Sequence, residues 1–338
     1  MSGVCERNET ADGLNAAAWR LAQHAIDRAA ALNAAVHRLG NGATLIDCGV
    51  QAPGSLAAGL VLARLCLAGQ AEVQLVNGDR TVWPGPWIEV RTDAPVRSCM
   101  LSQYAGWPIE TPDGQFFGMG SGPMRVRRGK EELLRELGAE DQSSCAVGVV
   151  EADQLPDEAL VDRMAKECGV ESEQLILAVA PTRSIAGVVQ VVARSVETCL
   201  HKLHVLGGDL KQVVAGWGLA PLAPPTPDLV AGIGRTNDAI LFAGQVTLWV
   251  HGDDAPWEQL VGLLPSAASG DFGVPFAEVF RKYDLDFYRI DPHLFAPAEV
   301  MVINGRSGSS WHAGKVHREL LRRSFDWRES DLGRGGEG

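Results

Sequence analysis

The stretch from Ser184 to Leu206, SIAGVVQVVARSVETCLHKLHVL, limits the fold more than any other part of the chain. It has a helical period, yet Val188, Val189, Val192, Val196, Cys199, Leu200 and Leu203 make most of its girth apolar. Such a helix sits between layers rather than on a surface, so the fold has to supply a layer on each side. At about 100° per residue, Gln190, Arg194, Glu197 and His201 fall within an arc of roughly 60°, one polar stripe on an apolar rod. Thr182 and Ser184 are placed to cap its first amides, and Gly207–Gly208 close it.

Around this helix the sequence alternates between the two periods. An alanine-rich helix is expected over about Leu14–Arg38, ended by Gly40 and Gly42, and then a buried strand over 43–50. GSLAAGLVLARLCLAG reads as a helix and VQLVNG (73–78) as a strand. From Trp83 to Gly122 the pattern is of short extended segments, WIEVRTDA and VRSCMLSQYAGW, ending in the loop GMGSGP. A small helix near Lys130–Leu137 follows, then strand CAVGVVEA, helix PDEALVDRMAKECG with proline at its first position, and strand QLILAVAP. Past the proline-rich stretch 220–228 come GIGRTNDAI, two strand-like runs through LFAGQVTLWVHG, helix PFAEVFRKYD, strand AEVMVING and a last helix near Ala313–Phe325. The expectation is α/β, with two α/β domains. Its approximate parts are 14–125 with a glycine-rich loop, 126–222 with the helix 184–206, and 229–325. The ends, 1–13 and 326–338, are expected to be flexible.

Composition narrows the function classes. A chain of 338 residues, 46% apolar and 21% charged, is long enough for two packed domains. With 42 acidic against 30 basic side chains its net charge of -12 repels phosphate backbones and anionic membranes, so no nucleic-acid or membrane partner is expected. The start lacks a basic patch followed by an apolar run, and no stretch is long and apolar enough to span a bilayer; a cytoplasmic place is expected. Seven cysteines without a C-x-x-C suggest reduced core thiols, and eight histidines without an H-x-H give no metal-ligand spacing.

Four places could carry chemistry. Glu197 lies three residues after Arg194, where the guanidinium can reach the carboxylate, though a solvated surface ion pair has the same spacing. In GMGSGP (118–123), Gly120 and Gly122 could let amides converge on a ligand beside the Ser121 hydroxyl, or the run is a bare turn. It matches neither the P-loop nor the dinucleotide fingerprint, so ATP and NAD are not expected. In GRTNDAI (234–240), Arg235, Thr236, Asn237 and Asp238 crowd just ahead of a strand, able to orient a polar heterocycle or to satisfy a turn. In SQYAGW (102–107), Gln103 could read a ring edge while Tyr104 or Trp107 stacks on it.

Taken in order, IDCGV, LARLCLAG, TDAPV, SQYAGW, GMGSGP, APTRSIAGVVQVVARSVE, HKL, GRTNDAI, PFAEVFRKYDLDFYRIDPHLFAPA and AGKVHRELLRRSF resemble methenyltetrahydromethanopterin cyclohydrolases from about residue 14 to 325. The resemblance implies a two-domain α/β subunit with the active-site cleft between the domains and 229–325 closing it, a homotrimer, no metal and no prosthetic group, acting in one-carbon metabolism, either formaldehyde oxidation or methanogenesis. It implies that water opens the cyclic amidinium of a tetrahydromethanopterin derivative, with the R-x-x-E motif falling on Arg194 and Glu197. Glu197 is then the general base, and Arg194 fixes it and lowers its pKa. Gln103, Tyr104, Gly120, Ser121, Gly122, Ser184, Gln190, Arg235, Thr236, Asn237 and Asp238 become substrate-pocket residues, with His201 as support. A folate-type cyclohydrolase and a catalytically silent pterin-binding protein are the alternatives. The basic run MRVRRGKEEL after GSGP and the run MVINGRSGSS depart from the family pattern, which bears on the anionic substrate tail or the trimer contact.

Overall fold

The computed structural model describes residues 13–327, so most of both expected flexible ends, 1–12 and 328–338, lies outside the described residues. The alanine-rich start forms α1 (Leu14–Asp27) but does not run on to Arg38. A 3₁₀ turn over Ala29–Leu32 ends on Asn33 at φ 53, a conformation asparagine tolerates better than most residues. The chain then turns extended as β1 (Ala35–Arg38), which forms a hairpin with β2 (Thr44–Asp47). After β2 the buried Asp47 carboxylate accepts the amides of Gly49, Val50, Gln51 and Ala52, which lowers its pKa and shapes the loop into α2 (Leu56–Cys66).

Strands β3 (Glu72–Val76) and β4 (Trp87–Thr92) come next. VRSCMLSQ, expected to be extended, is instead a wide π-helical segment, Val96–Gln103, whose first turn is held where Ser98 donates its amide and hydroxyl to the Ala94 carbonyl. GMGS is no loop either: it lies within β6 (Phe117–Ser121), which pairs with β5 (Trp107–Glu110), and Gly122, at φ +89, makes the turn that follows. Short helices α3 (Met124–Arg128) and α4 (Glu132–Glu136) lead to β7 (Ala146–Glu151), α5 (Glu158–Cys168) and β8 (Leu175–Ala180). Pro156 is not the first residue of α5 as expected; it precedes Asp157, whose carboxylate caps the helix by accepting the Leu160 amide.

The apolar helix of the sequence is two helices, α6 (Ile185–Val192) and α7 (Ser195–Val205). Beyond them lie β9 (Val213–Pro221), α8 (Leu229–Ala243), β10 (Gln245–Val250), α9 (Asp254–Leu260), α10 (Phe276–Lys282), β11 (Glu299–Asn304), β12 (Ser310–Gly314) and α11 (Arg318–Phe325). Three expectations need correction here. GRTNDAI does not precede a strand but lies inside α8; Leu241–Ala243 finish that helix, leaving one strand in LFAGQVTLWVHG; and Ala313 belongs to β12, with the last helix starting at Arg318.

The strands form two six-stranded mixed sheets, ordered β1-β2-β8-β7-β6-β5 and β12-β11-β10-β9-β4-β3. This is the expected pair of α/β units, threaded non-sequentially: β3 and β4 leave the first half of the chain to pair beside β9. Segment 14–125 therefore supplies strands to both sheets, as does 126–222. One face of the first sheet packs Ile46, Val147, Val149, Ile176 and Ala178 against α1 and α2, and the other packs Leu45, Val150, Leu177 and Val179 against α5. The second sheet shares its core with α6, α7 and α8. Gly59 of α2 abuts α6 so closely that a Cβ there would stand 2.5 Å from the Val189 Cβ. On the far side a Cβ at Gly218 of β9 would stand 2.3 Å from the Ser195 hydroxyl. The α6–α7 rod is thus lodged between layers, as its apolar girth requires.

Candidate active site

Strands β2, β8 and β7 run parallel, and their carboxyl ends, with the turns that follow, bring the polar residues together. Ser184 caps α6 by accepting the Gly187 amide at 3.1 Å and donates its hydroxyl to the Pro181 carbonyl at 2.8 Å. The helix then breaks at Ala193–Arg194, with Arg194 at φ -92, ψ 9. The break has a cause distant in sequence: the Ala193 carbonyl accepts from Gln103 Nε2 at 3.0 Å, and α7 restarts with the Thr198 amide on the Arg194 carbonyl. Glu197 consequently lies in the first turn of α7, where the helix dipole favours an anion.

Arg194 is buried at the centre of the cluster. Its Nη1 donates to the Gln103 carbonyl at 2.6 Å, and its Nη2 to Ser121 Oγ at 3.2 Å, Gln190 Oε1 at 3.0 Å and Glu151 Oε1 at 3.0 Å. Glu197 is its most distant partner, an ion pair at 3.9 Å. The sequence places the guanidinium on Glu197 and expects it to lower that carboxyl's pKa. In the fold burial outweighs Arg194 and Arg125, and the pKa of Glu197 rises to about 7. Burial also raises the Cys66 thiol to about 11; its sulfur lies 3.3 Å from Ser121 Oγ and 3.6 Å from Gln190 Oε1.

Tyr104 stacks on His201 with centroids 5.0 Å apart and planes 16° apart, and Arg125 lies 5.0 Å over its ring. Burial lowers His201 to about 4, so the ring is neutral at physiological pH. Three buried polar atoms here lack a protein partner: Gln103 Oε1, Gln190 Nε2 and Arg194 Nε. Buried polar groups are nearly always satisfied, so this concentration marks a place built to meet something else.

Of the residues singled out in the sequence, Gln103, Tyr104, Ser121, Gln190, Arg194, Glu197 and His201 come together. The amides of GMGSGP do not converge on a ligand: Gly120 sits in register between Trp107 and Val150, and the Gly122 amide bonds the Ser102 carbonyl at 2.8 Å. Trp107 lies apart from Tyr104, buried beneath Arg128. The α8 run makes its bonds elsewhere. Thr236 Oγ1 donates to the Gly232 and Ile233 carbonyls, Asn237 Nδ2 to Ile233, and Arg235 to the carbonyls of Ser324, Pro224 and Pro225. Asp238 accepts the Phe276 amide at 2.9 Å, and burial raises its carboxyl to about 8.

Two charged members were not found from the sequence. Glu151 ends the apolar strand β7 without a spaced partner, and only its place at the carboxyl end of a parallel strand could have signalled it. Arg125 comes from the atypical run MRVRRGKEEL; it is fully buried, bonds Glu131 through Nε at 2.9 Å and reaches the Ser102 carbonyl at 3.2 Å. The other bases of that run are also engaged: Arg127 with the carbonyls of Asp141 and Gly169, and Arg128 and Lys130 with Glu167. No group of three or more His, Cys, Asp or Glu side chains suited to a metal gathers among the described residues. A depression of about 590 Å³ lined by Ser144, Lys166, Gly169, Val170, Glu171 and Gln174 sits at the amino ends of β7 and β8, away from the cluster.

A buried carboxyl raised to about 7, beside a fixed guanidinium and a stacked aromatic pair, is an arrangement able to take a proton from a bound molecule and return it, the chemistry of an acid–base enzyme. Comparison with known proteins gives that class its member. The family model "Cyclohydrolase (MCH)" matches residues 13–325. A methenyltetrahydromethanopterin cyclohydrolase of Rhodopirellula baltica is 48% identical, over 84% of this chain and 86% of its own. Proteins of the same name from Methylobacillus flagellatus and Methanosarcina barkeri are 46% and 44% identical, over 91% and 87% of this chain and 93% and 92% of theirs. The chain belongs to the cyclohydrolase (MCH) family.

Proposed function

We propose that the chain hydrolyses 5,10-methenyltetrahydromethanopterin to the 5-formyl derivative, releasing one proton, and that Glu197 is its general base. The observation that carries this reading is the buried Glu197 with a pKa of about 7, beside a guanidinium held mainly by other groups. The substrate's methenyl carbon lies between two nitrogens that share a positive charge, so it is already electrophilic. Water adds to it, one C–N bond breaks, and the proton lost needs an acceptor. A carboxylate titrating near the working pH accepts that proton and gives it back; such groups supply on the order of 10²–10⁴-fold in rate. Because the carbon needs no further activation, the proposal includes neither metal nor prosthetic group.

Arg194 stands where it can stabilise the developing formyl oxygen, and its unpartnered Nε is the free donor for it. Gln103 Oε1 and Gln190 Nε2 are the further unpartnered groups available to a polar heterocycle, with the Tyr104–His201 stack as an aromatic wall. Ser184, Gly120, Gly122, Thr236, Asn237 and Asp238 act as supports in this reading, since their bonds lie within the protein. Arg235 holds its carbonyls at 3.3–3.5 Å and is the member of its run best able to exchange them for an anionic tail. The resemblance supports a homotrimer in the cytoplasm; no helix among the described residues is long and apolar enough to cross a membrane.

The test is loss of methenyl absorbance when chelator-treated protein meets methenyltetrahydromethanopterin and, separately, methenyltetrahydrofolate. Fast hydrolysis of the first alone is expected. Preference for the folate would move the assignment to a folate-type enzyme, and hydrolysis of neither would leave a binding protein.

A further inference from the structure

We infer that Glu151 is a positioning residue that holds the Arg194 guanidinium off Glu197 and so sets the pH at which Glu197 exchanges its proton. The inference rests on the reaction proposed above and concerns a residue with no part in the R-x-x-E motif. Arg194 lies between two carboxylates and treats them unequally: a hydrogen bond to Glu151 Oε1 at 3.0 Å, and a 3.9 Å ion pair with Glu197. Glu151 is anchored twice, by ending the central strand β7 and by accepting Thr182 Oγ1 on Oε2 at 3.3 Å, from the turn after β8. Gln190, Ser121 and the Gln103 carbonyl complete the cage, so Arg194 cannot swing toward Glu197 without breaking bonds to four groups.

The chemistry explains the arrangement. A carboxylate gripped bidentately by arginine stays ionised far below neutrality and is a weak proton acceptor. Held at a distance, the same arginine keeps substrate-facing charge while leaving Glu197 able to cycle. The groups facing Glu197 come from every element around it. Arg194 and Arg125 of α3 favour its anion, and Glu151 of β7 opposes it. Cys66 of α2, Cys99 of the π-helical segment and Tyr104 just after it are kept neutral by burial, at about 11, 12 and 12. Among these Glu151 is the sole negative neighbour, and its removal acts twice, by deleting repulsion and by freeing the guanidinium to close on Glu197.

The experiment is the pH dependence of kcat for the wild type, Glu151→Gln and Thr182→Val. The acid limb of Glu151→Gln is expected to move down by about one pH unit, and that of Thr182→Val by less in the same direction. A role confined to packing would lower kcat and leave the limb in place, and that result overturns the inference. Infrared titration of the carboxyls in wild type, Thr182→Val and Glu197→Gln, without substrate, provides a second readout. The band lost in Glu197→Gln should titrate near neutrality in wild type and lower in Thr182→Val; an unmoved midpoint also overturns it. Should the wild type fail to hydrolyse the substrate, the functional reading falls while the titration still decides this one.

Discussion

Two polar runs packed with the second sheet, one across α6 and α7 and one on α8, look equally functional in the sequence, and the fold uses them in opposite ways. Across the α6–α7 break, Gln190 and Arg194 bond to groups from α2, β6, β7 and the π-helical segment and leave donors unmatched, and Glu197 meets Arg194 at 3.9 Å. On α8, Thr236, Asn237 and Asp238 are satisfied by their own helix and by the start of α10, with no such remainder. Each run holds one buried carboxyl raised toward neutrality, at about 7 for Glu197 and about 8 for Asp238. A raised pKa therefore does not separate function from packing. Unmatched polar atoms beside it do, since a packing carboxyl has found its partners and a reacting one has to keep room for another.

The comparison can be broken at several points, the largest effect first. Glu197→Gln should reduce kcat by roughly 10²–10⁴-fold with KM little changed. It should also raise the melting temperature above neutral pH, because a group whose folded pKa is raised withdraws stability as pH climbs from the unfolded value toward about 7. Arg194→Met comes next: it strands Glu151 and Glu197 in a buried site and should lower stability by about 3 kcal/mol in denaturant titration, along with turnover.

On α8 the outcomes are reversed. Asp238→Asn should leave kcat at pH 7 near the wild-type value while flattening the pH dependence of stability. The wild type loses stability as pH rises from the unfolded carboxyl value through about 8, on the order of 2 kcal/mol between pH 6 and 8; the variant should lose less, which thermal melts at the two pH values would show. Thr236→Val, removing a hydroxyl that bonds only its own helix, should change stability by about 1 kcal/mol or less and turnover not at all. A large loss of kcat in either α8 variant would erase the distinction between the runs.

Much of this was legible in the sequence, for local reasons. The apolar girth of 184–206 announced a helix between layers, and the spacing of Arg194 and Glu197 announced the stripe. The runs CAVGVVEA and QLILAVAP announced two buried strands. What stayed hidden depends on contacts between distant residues. Gln103 takes the Ala193 carbonyl and breaks the helix, and no local period in 184–206 carries that information. Asn and Asp in GRTNDAI suggested a turn because these side chains compete with helix amides, yet Asp238 spends its carboxylate on the Phe276 amide and the helix continues. Glu151 looked like the polar end of a strand until Arg194 arrived from 43 residues away. Pairing of β3 and β4 beside β9 is likewise a tertiary choice.

The most direct measurement compares wild type and Glu197→Gln in one stopped-flow assay that follows binding of methenyltetrahydromethanopterin and then loss of its absorbance. The account predicts similar binding by both proteins and a loss of turnover of at least about a hundredfold in the variant. Equal turnover by the two proteins would contradict the assignment of Glu197 as the base and, with it, the reading of the cluster as a proton-transfer site.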